Sequence, residues 1–137
     1  MSAERFLDTN ILLYGYDLDA LEKRSIAQSL IEQAWLQPGR TAISVQVLHE
    51  FHVNFVRKGH SAEVAAALIA DFCHWPVIDN TLAVFGLGLS LQARWQLSLW
   101  DAMILAAAHT SGARELLTED LSDGQDYGGV TVLNPFL

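Results

Sequence analysis

Basic residues are scarce in this chain: eight Lys and Arg stand against sixteen Asp and Glu, a formal net charge of −8. So acidic a chain does not hold nucleic acid by generic attraction to phosphates; such binding would need metal ions or locally gathered bases. The adjacent basic pairs are Lys23-Arg24 and Arg57-Lys58, each open to reading as a solvated helix face or as a phosphate contact. A single cysteine, Cys73, excludes an internal disulfide and suits a reducing cytoplasm. Three prolines and no repeat or low-complexity tract leave no linker, so residues 1–137 are expected to form one domain. No apolar run is long enough to span a bilayer; residues 80–93 carry no charge but are too few. No apolar leader follows a basic start. These absences predict a soluble, cytoplasmic protein.

What is present is a large apolar share, 51%, with charged residues held to 18%, which excludes a disordered chain. Short β-like runs alternate with longer helical patterns. Strands are expected at Arg5–Leu7, Thr41–Ile43, Trp75–Ile78, Glu115–Thr118 and Val130–Leu133. Helices are expected at Asn10–Tyr16, Ala20–Leu36, Ser44 to about Lys58, Ala62–His74, Leu82–Trp95 and Ser98 to about Thr110. Ser44, Ser61 and Ser98 are placed as N-caps, and Gly59 and Gly112 as stops. In the second helix, Leu21, Ile26, Leu30 and Ile31 are expected to form the apolar face. Gly86 and Gly88 weaken the helical pattern around them. The alternation argues an α/β fold on a mainly parallel sheet, with Asp8 and Thr118-Glu119-Asp120 at carboxyl ends of strands, where such sheets place their sites.

Four carboxylates interrupt apolar segments: Asp8 in Phe-Leu-Asp-Thr-Asn, Glu50 in Val-Leu-His-Glu-Phe, Asp101 in Leu-Trp-Asp-Ala-Met, and Asp120 in Leu-Thr-Glu-Asp-Leu. Buried acids are rare unless paired or bound to metal, and few bases neighbour these. Oxygen ligands of this kind point to a divalent cation, and with it to phosphodiester chemistry. Each acid has a plainer alternative. Asp8 and Asp101 can serve helix starts, Asp101 as a short-armed capping box with Ser98. Glu50 shares a stripe with Gln46 and Asn54, spaced by four, which an exposed helix face would also show. Among Glu119, Asp120 and Asp123 the residues alone leave the choice open. His49 and His52 lack the i, i+4 spacing of a zinc helix.

Together the segments Phe6–Leu12, Ile43–Phe51, Leu97–Ile104 and Leu116–Leu121, with Asn134-Pro135-Phe136 closing the chain, resemble the PIN-domain family, and within it VapC-type toxins of bacterial toxin–antitoxin pairs. The resemblance implies a three-layer α/β fold with strand order 3-2-1-4-5. It also implies a Mg²⁺- or Mn²⁺-dependent endoribonuclease that leaves 5′-phosphate and 3′-hydroxyl ends. Asp8, Asp101 and Glu50 would hold the metal, Asp120 would be the fourth acid, and Thr9, Thr118 and Glu119 would support them. Many relatives carry another Asp and a Phe where Ser122-Asp123-Gly124 stands here. The implied partners are RNA, an antitoxin with a basic segment in the acidic cleft, and a second copy of the chain, with Val84–Leu91, Trp35, Trp95 and Trp100 as surface for it. The alternatives are another metal-dependent nuclease, such as a structure-specific DNase, or a module that blocks RNA or the ribosome without cutting.

Overall fold

The computed structural model describes residues 2–137. The strands β1 (Arg5–Leu7), β2 (Thr41–Ser44), β3 (Val77–Ile78), β4 (Glu115–Leu117) and β5 (Thr131–Leu133) form one sheet in the order β3-β2-β1-β4-β5. Every pairing is parallel, with Phe6 opposite both Ala42 and Leu116, and Leu116 opposite Val132. This is the expected α/β architecture and strand order. Phe6, Leu7, Ala42, Ile43, Leu116 and Val132 are fully or almost fully buried, because helices cover both faces of a parallel sheet.

The helices are α1 (Thr9–Tyr14), α2 (Leu21–Leu36), α3 (Val45–Arg57), α4 (Ala62–Phe72), α5 (Leu82–Trp95) and α6 (Leu99–Ser111). Ser44, Ser61 and Ser98 cap α3, α4 and α6 as expected, each hydroxyl accepting from the backbone N–H three residues on, at 3.1–3.3 Å. Thr81 does the same for α5. Gly112 ends α6 at φ +82°, a conformation that favours glycine. Gly59, at φ +104°, stands one residue beyond Lys58, the residue that caps α3.

One sequence expectation is corrected. In α2 the inward face is Ala27, Leu30, Ile31 and Ala34, spaced i, i+3, i+4, i+7, whereas Leu21 and Ile26 are exposed. Helix α2 passes close to the end of α1: a Cβ on Gly15 would meet Ile31 at 2.8 Å. Helix α5 spans Leu82–Trp95 as expected, with Gly86 and Gly88 inside it. A Cβ on Gly88 would come within 2.4 Å of Met103 Sδ, so this glycine permits a close approach of α5 to α6, while Gly86 faces open space. Helix α6 is the central one, with Ala102, Leu105, Ala106 and Ala108 inaccessible to solvent. It anchors the sheet and brings its first turn to the carboxyl edge.

Candidate active site

Asp8 ends β1. Its N–H donates to Leu117 O at 3.0 Å, continuing the ladder one residue past the strand and fixing where the side chain emerges. The carboxylate accepts from Thr9 N at 2.7 Å and from Thr118 Oγ1 at 2.8 Å. Only 6% of Asp8 is exposed, and burial raises its pKa from 3.8 to about 7. The two hydrogen bonds counter that shift, and the negative charges of Asp120 and Glu50 add to it.

The other acids arrive from separate elements. Glu50, in the middle of α3, accepts through Oε1 from Thr9 Oγ1 at 2.8 Å. Its stripe is not a solvated face. Gln46 is buried and donates to Trp100 O at 3.2 Å, which ties α3 to the start of α6; Asn54 bonds Glu50 O at 2.8 Å. Asp101 lies in the first turn of α6, its N–H bound by Ser98 Oγ. Partial desolvation raises its pKa; the Ser98 interaction opposes that shift, and the Asp120 charge reinforces it. The helix start, for its part, favours an anion. Asp120 follows β4 and accepts from Asn10 Nδ2 at 3.0 Å, while its own N–H donates to Thr118 Oγ1 at 3.1 Å.

Asp8, Glu50, Asp101 and Asp120 thus line one cleft of about 240 Å³, with Thr9, Asn10, Leu13, Asn54, Trp100 and Ile104. The neighbouring acids are engaged elsewhere. Glu119 accepts from Tyr14 Oη at 2.7 Å and from Lys23 Nζ at 2.9 Å, and Asp123 accepts from Asn134 N at 2.7 Å. The basic pairs do not reach the cleft either, since Lys23 is held by Glu119 and Lys58 by Asp17 at 3.4 Å.

Asn10 was visible in the sequence only as a neighbour of Asp8. Its amide donates to both Asp120 and Thr118, linking the acids of β1 and β4. Its Oδ1 is buried without a hydrogen-bond partner. Its place directly after an Asp-Thr pair at a strand end is the only signal that marked it.

The donor chemistry suits a hard cation that keeps much of its water. Among the described residues no three His, Cys, Asp or Glu side chains converge tightly enough to form a ready cage. Spaced carboxylates without nitrogen or sulfur donors are the kind of oxygen set that hard cations such as Mg²⁺ take together with several waters.

The PIN-domain family model matches residues 5–122. No curated protein matches in sequence. Solved structures do match in fold. A toxin–antitoxin complex from Klebsiella pneumoniae aligns at TM-score 0.67 and 24% identity, covering 96% of this chain and 98% of that one. VapC20 of Mycobacterium tuberculosis, a sarcin–ricin-loop-cleaving toxin, aligns at 0.65 and 24%, covering 96% and 100%. DNA-bound VapBC from Salmonella typhimurium aligns at 0.68 and 19%, covering 95% and 96%.

Proposed function

The chain belongs to the PIN-domain family, and on that premise we propose that it is a VapC-type toxin of a toxin–antitoxin pair, acting as a Mg²⁺- or Mn²⁺-dependent endoribonuclease. The observation that carries this reading is the convergence of Asp8, Glu50, Asp101 and Asp120, from four separate segments, on one cleft without a lysine or arginine in its wall. Asp8 and Asp101, with Glu50, would hold the cation. When bound, it supplies the acidification of a water and the offset of phosphate charge.

The chain's own groups have defined tasks. Thr9 and Thr118 donate to Glu50 and Asp8 and hold the carboxylates in place. Asn10 bridges Asp120 and Thr118 and keeps the β4 side of the cleft in register with β1. Either Glu50, through the Oε2 that Thr9 leaves free, or Asp120 would orient the attacking water and accept its proton. Hydrolysis forms a bond from the water oxygen to phosphorus and breaks the bond to O3′. The products carry a 5′-phosphate and a 3′-hydroxyl, the latter taking its proton from solvent.

The fold relatives solved as toxin–antitoxin complexes support a cognate antitoxin here, and an acidic cleft favours a basic segment from it. Exposed Leu82, Leu87 and Leu89 on α5, with Trp35, support a homodimer. Among the described residues no helix is long and apolar enough to cross a membrane; we place the activity in the cytoplasm.

The test is expression of wild type beside Asp8→Ala and Asp101→Ala, with mapping of RNA 5′ ends. New 5′-phosphate ends and growth arrest with wild type alone are expected, with EDTA abolishing cutting by the purified protein and Mg²⁺ or Mn²⁺ restoring it. Equal arrest by all three proteins without new ends would replace the nuclease reading by a blocking module.

A further inference from the structure

Next to the acid cleft lies a second groove of about 590 Å³, with Glu50 and Trp100 in the walls of both. Its character is different. Trp100, Phe85 and Met103 make it apolar, and His49, Asn80 and Thr81 place polar groups at its margin. Its size is that of a small-ligand site. Trp100 is 68% exposed although it sits in the first turn of the most buried helix, and it is the residue immediately before Asp101. Core packing does not account for an indole there. Its backbone is held by the bond from Gln46 Nε2 to Trp100 O, so the ring stands on a fixed support.

The cleft's electrostatics say what such a ring is for. Neither the cleft nor the groove has a Lys or Arg among its lining residues, and the chain carries a net charge of −8. Affinity for a polyanion at this point therefore has to come from the bound cation and from uncharged contacts. Aromatic stacking on a base is the uncharged contact that any nucleotide offers. It needs a base already out of a helix, as in loops, bulges and single strands.

Resting on the nuclease reading above, we infer that Trp100 is a stacking platform for the unpaired base beside the scissile phosphate. Phe85 and Met103 form the rest of the groove in which that base lies, and His49, Asn80 and Thr81 read its edge. On this reading the groove sets the nucleotide preferred next to the cut.

The experiment compares wild type, Trp100→Phe and Trp100→Ala on a short RNA spanning a mapped cut site, and on the same RNA with an abasic residue beside the cut. Trp100→Ala is expected to raise KM about tenfold with kcat little changed, and Trp100→Phe to keep most of the affinity. Removing the base should cost wild type the same factor and cost Trp100→Ala nothing further, a pattern that a merely structural role would not produce. If wild type cuts, but Trp100→Ala retains its KM or the two losses multiply, the platform is overturned and the nuclease stands. Loss of self-association or antitoxin binding by Trp100→Ala, with unchanged KM, would assign the groove to a protein instead. If wild type does not cut, but short mixed-sequence RNA in Mg²⁺ quenches its tryptophan fluorescence and not that of Trp100→Phe, the platform stands and the nuclease falls. Neither cutting nor quenching would overturn both.

Discussion

The two ends of the same strands are built on opposite electrostatic plans. At the amino ends of β1, β2 and β4, Arg5 meets Glu115 at 3.9 Å, and Arg40 meets Glu4 at 3.7 Å. These charges are paired with their opposites and hydrated, as ordinary surface pairs are. At the carboxyl ends, Asp8, Glu50, Asp101 and Asp120 line a cleft that has no lysine or arginine in its wall, and Asp8 is buried. The depression at the amino end, about 620 Å³ beside Glu4 and Glu115, is larger than the acid cleft of about 240 Å³. Size therefore does not mark the site. Uncompensated charge held by donor hydroxyls does.

The strongest way to break this contrast is to neutralise one acid at each end. Glu50→Gln or Asp120→Asn should lower the cleavage rate at least about 100-fold, since each removes a carboxylate proposed to hold the cation or position the attacking water. Glu115→Gln should leave the rate within about twofold, because it only loosens a surface pair. Single-turnover cleavage of one RNA by the purified proteins measures both, and equal losses would erase the distinction between the ends.

The pH dependence of stability sharpens it further. The pKa of Asp8 is about 7 in the folded chain against an ordinary 3.8, so the fold binds the proton more tightly than the unfolded chain does. Its contribution is complete below about pH 4 and is lost as pH rises through about 7, by up to about 4 kcal/mol. Metal-free wild type should thus lose stability relative to Asp8→Asn between pH 4 and pH 8 in urea titrations. Added Mg²⁺ should narrow the gap at pH 8. A gap independent of pH would mean that Asp8 is not held near neutrality by burial.

A smaller effect is expected from the cap that introduces Asp101. Ser98→Ala removes the acceptor for Asp101 N–H and should cost about 1 kcal/mol of stability, with a partial loss of cleavage from a less firmly seated carboxylate. Thermal melts and rates on the same preparation separate the two. The smallest effect belongs to the amino end, where Arg40→Ala should change stability by less than about 0.5 kcal/mol.

Much of this was legible in the linear chain, for reasons that are local. A serine before an apolar periodic run caps a helix through its own next turn, so Ser44, Ser61 and Ser98 could be read where they stand. The alternation of strands and helices likewise dictated a parallel sheet, because a connection that passes through a helix returns the chain in the same direction. The face of α2 was not legible. Leu21 and Ile26 are more hydrophobic than Ala27 and Ala34, yet the alanines face inward, because the neighbours that pack against a helix decide which face is buried. Nor was the choice between Glu119 and Asp120, adjacent acids of equal charge. Tyr14 and Lys23, from α1 and α2, engage Glu119, while Asn10 engages Asp120.

By itself the sequence determined the α/β layering, the capped helices and the unusual placement of four acids at element edges, because these depend on periodicity and on neighbours within a turn. Only the tertiary structure decided which acids share a cleft, that Asn10 bridges them, and that Trp100 stands exposed between the cleft and an apolar groove. Those facts depend on groups between about 40 and 110 residues apart, from Thr9 with Glu50 to Asn10 with Asp120, brought together by the parallel register of β1 and β4 and by the packing of α3 and α6 against them.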